Sequence, residues 1–227
     1  MILCARWSCL LFLALTMASA SADHIVVTGG SALRKWEDLR IKEKQHDRWW
    51  GNFVRASTIK LDELKKSDTE GEIIWWVFKP GMEARGVEDS KPYCDWVESL
   101  AEKREVTFHW FSSRQEFLEL LNDRPRRSVQ SFDYFGHSNR SAFMFDYGSD
   151  IMAASTSWLH EIDLHKINRS VFARKAECKS WGCHTGESMS QVWKKKLKVP
   201  LIGAKGATNY SMVGHGRLPS VSGVWVY

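Results

Sequence analysis

Apolar and polar positions alternate along the chain with two periods, one of strands and one of helices. His24-Ile25-Val26-Val27-Thr28 is a β-branched run stopped by Gly29-Gly30, which predicts a strand and a turn. In the polar and aromatic stretch after it, Trp49 and Phe53, and Trp50 and Val54, are spaced as on a helix face. Glu72 to Phe78 is nearly all apolar, as a parallel strand covered on both faces should be. Pro92 suits the first turn of a helix carrying Trp96, Val97 and Leu100. Val106 to Phe111 predicts a third strand, and Ser113-Arg114-Gln115-Glu116 is a capping box ahead of Phe117, Leu118, Leu120 and Leu121. Val129 to Phe135 predicts a fourth strand that runs into Gly136-His137-Ser138-Asn139. Ala142 to Tyr147 reads as a hairpin arm and Glu161 to Ile167 as a short helix. A fifth strand should lead into Trp181-Gly182-Cys183-His184. It is followed by a helix with Met189, Val192, Trp193 and Leu197 on one side, then by a sixth strand from Val199 to Ala204.

This alternation predicts an α/β fold: a three-layer α/β/α sandwich on a mostly parallel sheet of about six strands. No repeat, low-complexity tract or Pro/Gly-rich linker divides it, so residues 23–227 read as one domain. Chemistry in such sheets gathers at the carboxyl ends of strands. Two motifs are expected there, Phe135-Gly136-His137-Ser138 and Trp181-Gly182-Cys183-His184.

The first residues set the expected compartment. Arg6, the apolar run Leu10 to Leu15 and the small residues Ala18 to Ala22 read as a secretory signal peptide over residues 1–22, with cleavage after Ala20 or Ala22. The mature chain is expected to be exported, to a periplasm or the extracellular space. No later run approaches the roughly 20 apolar residues of a membrane helix, so no membrane span is expected in it. Loss of Arg6 leaves 31 basic against 27 acidic side chains, a mild net charge of +4. The clusters Arg124, Arg126, Arg127 and Lys194-Lys195-Lys196 then read as solvated faces, and no nucleic-acid partner is expected. Asn139, Asn168 and Asn209 head glycosylation sequons if the secretory route is eukaryotic.

Cys94, Cys178 and Cys183 remain, an odd number that leaves at least one thiol unpaired unless it pairs between chains. Covalent haem attachment uses C-x-x-C-H, whereas Cys178 and Cys183-His184 give a longer spacing at a strand end. Zinc would need a second ligand pair. A Cys178–Cys183 bridge would close a very small loop between residues on opposite faces of a strand, while a Cys94–Cys178 bridge stays open. No metal and no cofactor are expected. Cys183 has a bland reading as a buried structural thiol. Against it stands its place after a glycine, at a strand end and ahead of a helix whose N-terminus would favour the thiolate. His137 supplies the titratable partner that a cysteine nucleophile needs.

These residues resemble the caspase-like (clan CD) cysteine peptidases, in which a strand ends in His-Gly and a later strand ends in Ala-Cys, often followed by x-Thr-Gly or x-Ser-Gly. Here the motifs are Phe135-Gly136-His137-Ser138 and Gly182-Cys183-His184-Thr185-Gly186, 46 residues apart from His137 to Cys183, near the roughly 50 of caspases. The resemblance implies peptide-bond hydrolysis of a peptide or protein substrate. Thiolate attack by Cys183 would form an acyl-enzyme, His137 would protonate the leaving amine, and the N–H groups of Ser138 and Cys183 would bind the oxyanion. The chain departs from the pattern twice: Ser138 stands for the usual glycine and Gly182 for the usual alanine. The serine departure favours a rival reading, a peptide- or protein-binding module of the same fold without turnover. A thiol-dependent amidase or acyl transferase is a third. Gly29, Gly30, Ser31, Arg34, Trp181 and His184 are candidate residues of the substrate cleft.

Overall fold

The computed structural model describes residues 22–45, 47–67, 70–151 and 153–227. The leader expected at 1–22 lies, apart from Ala22, outside the described residues. In chain order the elements are β1 (Asp23–Thr28), α1 (Arg34–Glu37), α2 (Asn52–Lys66), β2 (Glu72–Phe78), α3 (Lys79–Asp89), α4 (Tyr93–Glu102), β3 (Thr107–Phe111), α5 (Arg114–Asn122) and β4 (Val129–Phe135). Then come β5 (His137–Ser138), β6 (Ala142–Met144), β7 (Trp158–His160), β8 (Phe172–Ser180), α6 (Met189–Leu197), β9 (Leu201–Lys205), β10 (Thr208–Asn209), β11 (Ser220–Val221) and β12 (Val224–Val226).

The central sheet has seven strands in the order β12-β9-β8-β4-β1-β2-β3. All neighbours are parallel except β12, which runs antiparallel to β9 along its edge. The expected three-layer α/β/α architecture is present, with one strand more than foreseen, because a three-residue strand carries too little alternation to be read. Period-2 alternation assigns the two faces. Ile25 and Val27, Ile74, Trp76 and Phe78, and Phe132 and Tyr134 pack with Phe117 and Leu121 of α5 and Trp193 and Leu197 of α6. Val26, Trp75, Val77 and Phe135 pack on the other face with Phe53 and Leu61 of α2, Met82 of α3 and Val97 of α4. Trp75, Trp76 and Trp193 are fully buried. Each such indole contributes about 4–6 kcal/mol of gross apolar burial. An exposed pair such as Lys65–Glu105 contributes at most about 1 kcal/mol. The aromatic core, not the surface charge, holds the layers.

The serine half of the capping box forms, with the Glu116 N–H donating to Ser113 Oγ at 3.1 Å, while the Glu116 carboxylate accepts the N–H of Ser112, one residue ahead of the cap, at 2.6 Å. The arm after His137 is a small three-stranded sheet, β5-β6-β7, and the short helix is a 3-10 helix over Glu161–Lys166. Cys94, Cys178 and Cys183 are all free thiols. Cys178 lies in the core under α6, while Cys94 packs against the core on the opposite face, so the sheet separates them. Burial drives the Cys178 thiol far above its ordinary pKa.

The helix α3 is absent from the sequence pattern, because its first turn carries Pro80 and Gly81, two poor helix formers. Pro80 sits in the first turn of α3, where its missing N–H costs nothing. Gly81 lets that turn cross Gly30 at the end of β1, where a Cβ on Gly30 would stand 2.7 Å from Gly81 Cα. Gly30 is tied by its N–H bond to Phe145 O, and Gly81 lies in the first turn of α3. Gly30→Ala is therefore expected to cost roughly 1–3 kcal/mol, read as a lower urea midpoint at unchanged m-value; a wild-type midpoint would show that the crossing is loosely packed.

Candidate functional site

The strands β4 and β8 lie side by side and parallel, with Tyr134 opposite Ser180. His137 and Cys183 each lie three residues beyond that pair. The 46-residue spacing between them is thus the register offset of the two strands, and both emerge at the same edge of the sheet. They line one cavity of about 810 Å³. Its walls come from loops at the carboxyl ends of the strands: Arg40, Glu43 and Asp47 after β1, Tyr147 after β6, and Thr208, Asn209 and Tyr210 after β9. Asn52 and Phe53, in the first turn of α2, complete the floor.

The imidazole of His137 is 9 % exposed and held on three sides. Phe53 meets it edge-on at 4.9 Å between ring centroids, Tyr147 tilts against it at 4.4 Å, and its Nε2 contacts Asp47 Oδ2. Its backbone is pinned as well, because the buried Tyr134 hydroxyl lies 2.8 Å from the carbonyl oxygens of both His137 and Met144.

The thiol of Cys183 is half-buried and accepts the Thr208 N–H at 3.3 Å, with the Thr208 hydroxyl at the same distance. The expectation that a helix N-terminus faces this sulfur is corrected. The helix α6 begins at Met189, after a run of turns, and a helix end acts only within about its first turn. The donor to the sulfur is instead the backbone N–H of Thr208 in β10. Tyr210 ties the two strand ends together: its hydroxyl donates to Trp181 O at 2.9 Å and lies against the Gly136 backbone. Burial, with Cys183, Tyr134 and Asp47 nearby, pushes its pKa well above the tyrosine range, so the bridge keeps its proton.

The two departures from the caspase-like motifs account for each other. A Cβ on Gly182 would stand 2.2 Å from Ser138 Oγ and 2.9 Å from Ser138 Cβ, so the serine side chain fills the space that an alanine methyl would need. Ser138 Oγ then donates to the Cys183 carbonyl at 2.7 Å and ties the two motifs together. Ser138 lies in β5 and is not among the residues with a positive φ, so it needs no glycine-only backbone. Bonded and non-bonded pairs alternate along an antiparallel ladder. The neighbouring Asn139 N–H donates to Ala142 O, so the Ser138 N–H turns away from β6. Among the described residues no acceptor takes the Cys183 N–H. His184 carries the turn after the thiol at φ 63°, a left-handed value costly for a non-glycine residue. Its Nδ1 contacts Glu187 Oε1 at 2.6 Å, and that hydrogen bond lowers the Glu187 pKa.

None of the six expected cleft residues lines the cavity. Gly29 and Gly30 donate their N–H groups to Phe135 O and Phe145 O in the interior, and Ser31 is buried. Arg34 pairs with Asp89. Trp181 stacks on Phe135 at 5.4 Å, with its indole N–H on Asp133 Oδ1. His184 turns to Glu187 rather than to the cavity wall. Asp47, Tyr147, Thr208 and Tyr210 were not foreseen. They lie in loops without hydrophobic periodicity, and only the carboxylate in the charged run Lys42 to Arg48 offered a chemical signal. The sequon Asn209 lies on the cavity wall, and Asn139 caps the turn after β5 by accepting the N–H groups of Ser141 and Ala142. Among the described residues, no group of three or more His, Cys, Asp or Glu side chains is arranged to hold a metal ion.

Comparison with protein-family models, with curated proteins and with solved structures finds no match to this chain.

The Ser138/Gly182 exchange of volume yields a double-mutant cycle. Gly182→Ala alone should lower stability by roughly 1–3 kcal/mol, and adding Ser138→Gly should recover part of that loss. Recovery stops short of complete because Gly136 O also stands 2.9 Å from the added methyl. Additive losses in urea denaturation would show that the two positions do not share one space.

Proposed function

We propose that the chain is a cysteine peptidase of caspase-like type, hydrolysing peptide bonds through Cys183 and His137. The observation that carries this reading is the pairing of β4 with β8, which delivers the thiol and the imidazole to one cavity at the same sheet edge. The Thr208 N–H is aimed at Sγ and holds the sulfur in the cavity. Sγ attacks the scissile carbonyl carbon and forms the S–C bond, while the carbonyl oxygen takes up the negative charge. The backbone N–H of Cys183, which has no acceptor among the described residues, and that of Ser138, which turns away from its ladder, are the donors for this oxyanion. His137 gives its proton to the departing amine as the C–N bond breaks. Water, deprotonated by the same imidazole, then releases the acid and restores the thiol.

The half-buried thiol and the cavity of about 810 Å³ suit a side chain and the flanking backbone of an extended peptide. Incubation with a mixed peptide library followed by mass spectrometry should give cleavage after a defined residue type. Cys183→Ala and His137→Ala should each lower turnover by at least ~100-fold with urea midpoints near wild type. Acyl transfer to an added amine without hydrolysis would favour a transferase. Retention of peptides without cleavage would favour a binding module.

A further inference from the structure

The loop after β1 contributes a buried carboxylate to the site. Asp47 is 1 % exposed, and its Oδ2 accepts the Ala32 N–H at 3.2 Å while contacting His137 Nε2. We propose that Asp47 is a positioning residue: it holds His137 by Nε2–H and stabilises the imidazolium, which makes Nδ1 the nitrogen that exchanges a proton with Cys183 and substrate. The proposal rests on the Cys183/His137 reading.

The surroundings of Asp47 are built to fix it. Its N–H donates to Glu37 Oε2 at 3.1 Å, and its carbonyl accepts Arg85 Nη1 at 2.9 Å. The same guanidinium donates to Ala32 O at 2.6 Å and Arg48 O at 2.5 Å, so it grips the loop on both sides of the carboxylate. Arg85 is 1 % exposed and is itself held by Asp89, which also takes the Tyr93 hydroxyl at 2.7 Å. A rigid chain of polar contacts therefore runs from α3 and α4 through Arg85 to Asp47 and the imidazole. A carboxylate so far from water is costly unless its charge is matched, and an imidazolium at Nε2 supplies the match. Among the titratable and charged groups of the described residues, Asp47 and Tyr147 touch the ring, and Arg40, Glu43, Arg55, Cys183 and Tyr210 line the same cavity. The proton balance is simple. Cys183 gives its proton to Nδ1, and the imidazolium keeps its Nε2 proton on Asp47, which is not itself protonated.

The test needs no peptide substrate. Alkylation of Cys183 by chloroacetamide at neutral pH, followed peptide by peptide in a mass spectrometer, reads the thiolate directly. His137→Ala should slow it, and Asp47→Asn should slow it about tenfold, the change in thiolate that one pKa unit produces. In the His137→Ala background, Asp47→Asn should add nothing, an outcome that a merely structural role would not give. Nitrogen NMR of the wild-type protein should show neutral His137 protonated at Nε2. A neutral ring protonated at Nδ1 overturns the proposal without any variant having to fold. If His137→Ala slows alkylation and Asp47→Asn does not, the role of Asp47 falls and the pair stands. If His137→Ala leaves the rate unchanged, the pair itself falls, and the proposal with it.

Discussion

The register between β4 and β8 is the constraint on which the site depends. It is not uniform. Val129 pairs with Phe172, but two residues later Ser131 pairs with Glu177, so β8 spends five residues where β4 spends two. The irregularity sets the final offset at 46. Had the first pairing simply continued, Ser180 rather than Cys183 would stand level with His137. Irregularities of this kind bend a strand and re-aim the side chains beyond the bend. Here the segment Ala173 to Ala176 accommodates the extra length, and its two end residues, Ala173 and Ala176, still reach the core.

Beyond the register, the two motifs are locked by polar and steric exchanges as well as by the stack of Trp181 on Phe135. Ser138 occupies the volume missing at Gly182 and bonds the Cys183 carbonyl, and Tyr210 spans Trp181 and the backbone at Gly136. Both bridges join the end of β4 to the end of β8, so strand pairing is effectively prolonged past the last ladder bond, Trp181 N–H to Tyr134 O. The contacts of the thiol are equally local: the Thr208 N–H lies 3.3 Å from Sγ, and α6 begins only at Met189.

The difference between legible and hidden features of the chain is one of range. Strands such as Ile73 to Phe78 are legible because burial on both faces demands unbroken apolar residues, and Gly136-His137 and Gly182-Cys183 are legible because a glycine and a reactive side chain end such runs. The misreadings have the same origin. Gly29-Gly30 looks like part of a substrate cleft, but it answers a crossing with Gly81, a partner about fifty residues away that no local pattern reveals. Trp181 lies two residues before Cys183 in sequence, yet it points into the face shared with Phe135. Asp47, Thr208 and Tyr210 contact groups far along the chain, from segments without hydrophobic periodicity.

The loop between α1 and α2 has only one 3-10 turn among its described residues, over Lys42–Lys44, and two of its apolar side chains, Leu39 and Ile41, face solvent. Apolar burial therefore does little to fix it. Its shape comes from Arg85 and Glu37, buried charges whose desolvation roughly offsets their attraction. Such a network adds little net stability, and apolar residues of equal volume would serve the fold as well. What they would not supply is direction: the guanidinium N–H groups, set in a rigid fork, fix backbone carbonyls on both sides of Asp47 in a way that no hydrocarbon does. The cost of burying Arg85 is thus explained by geometry at the cavity rather than by stability, and loss of the network should loosen the imidazole before it loosens the sheet.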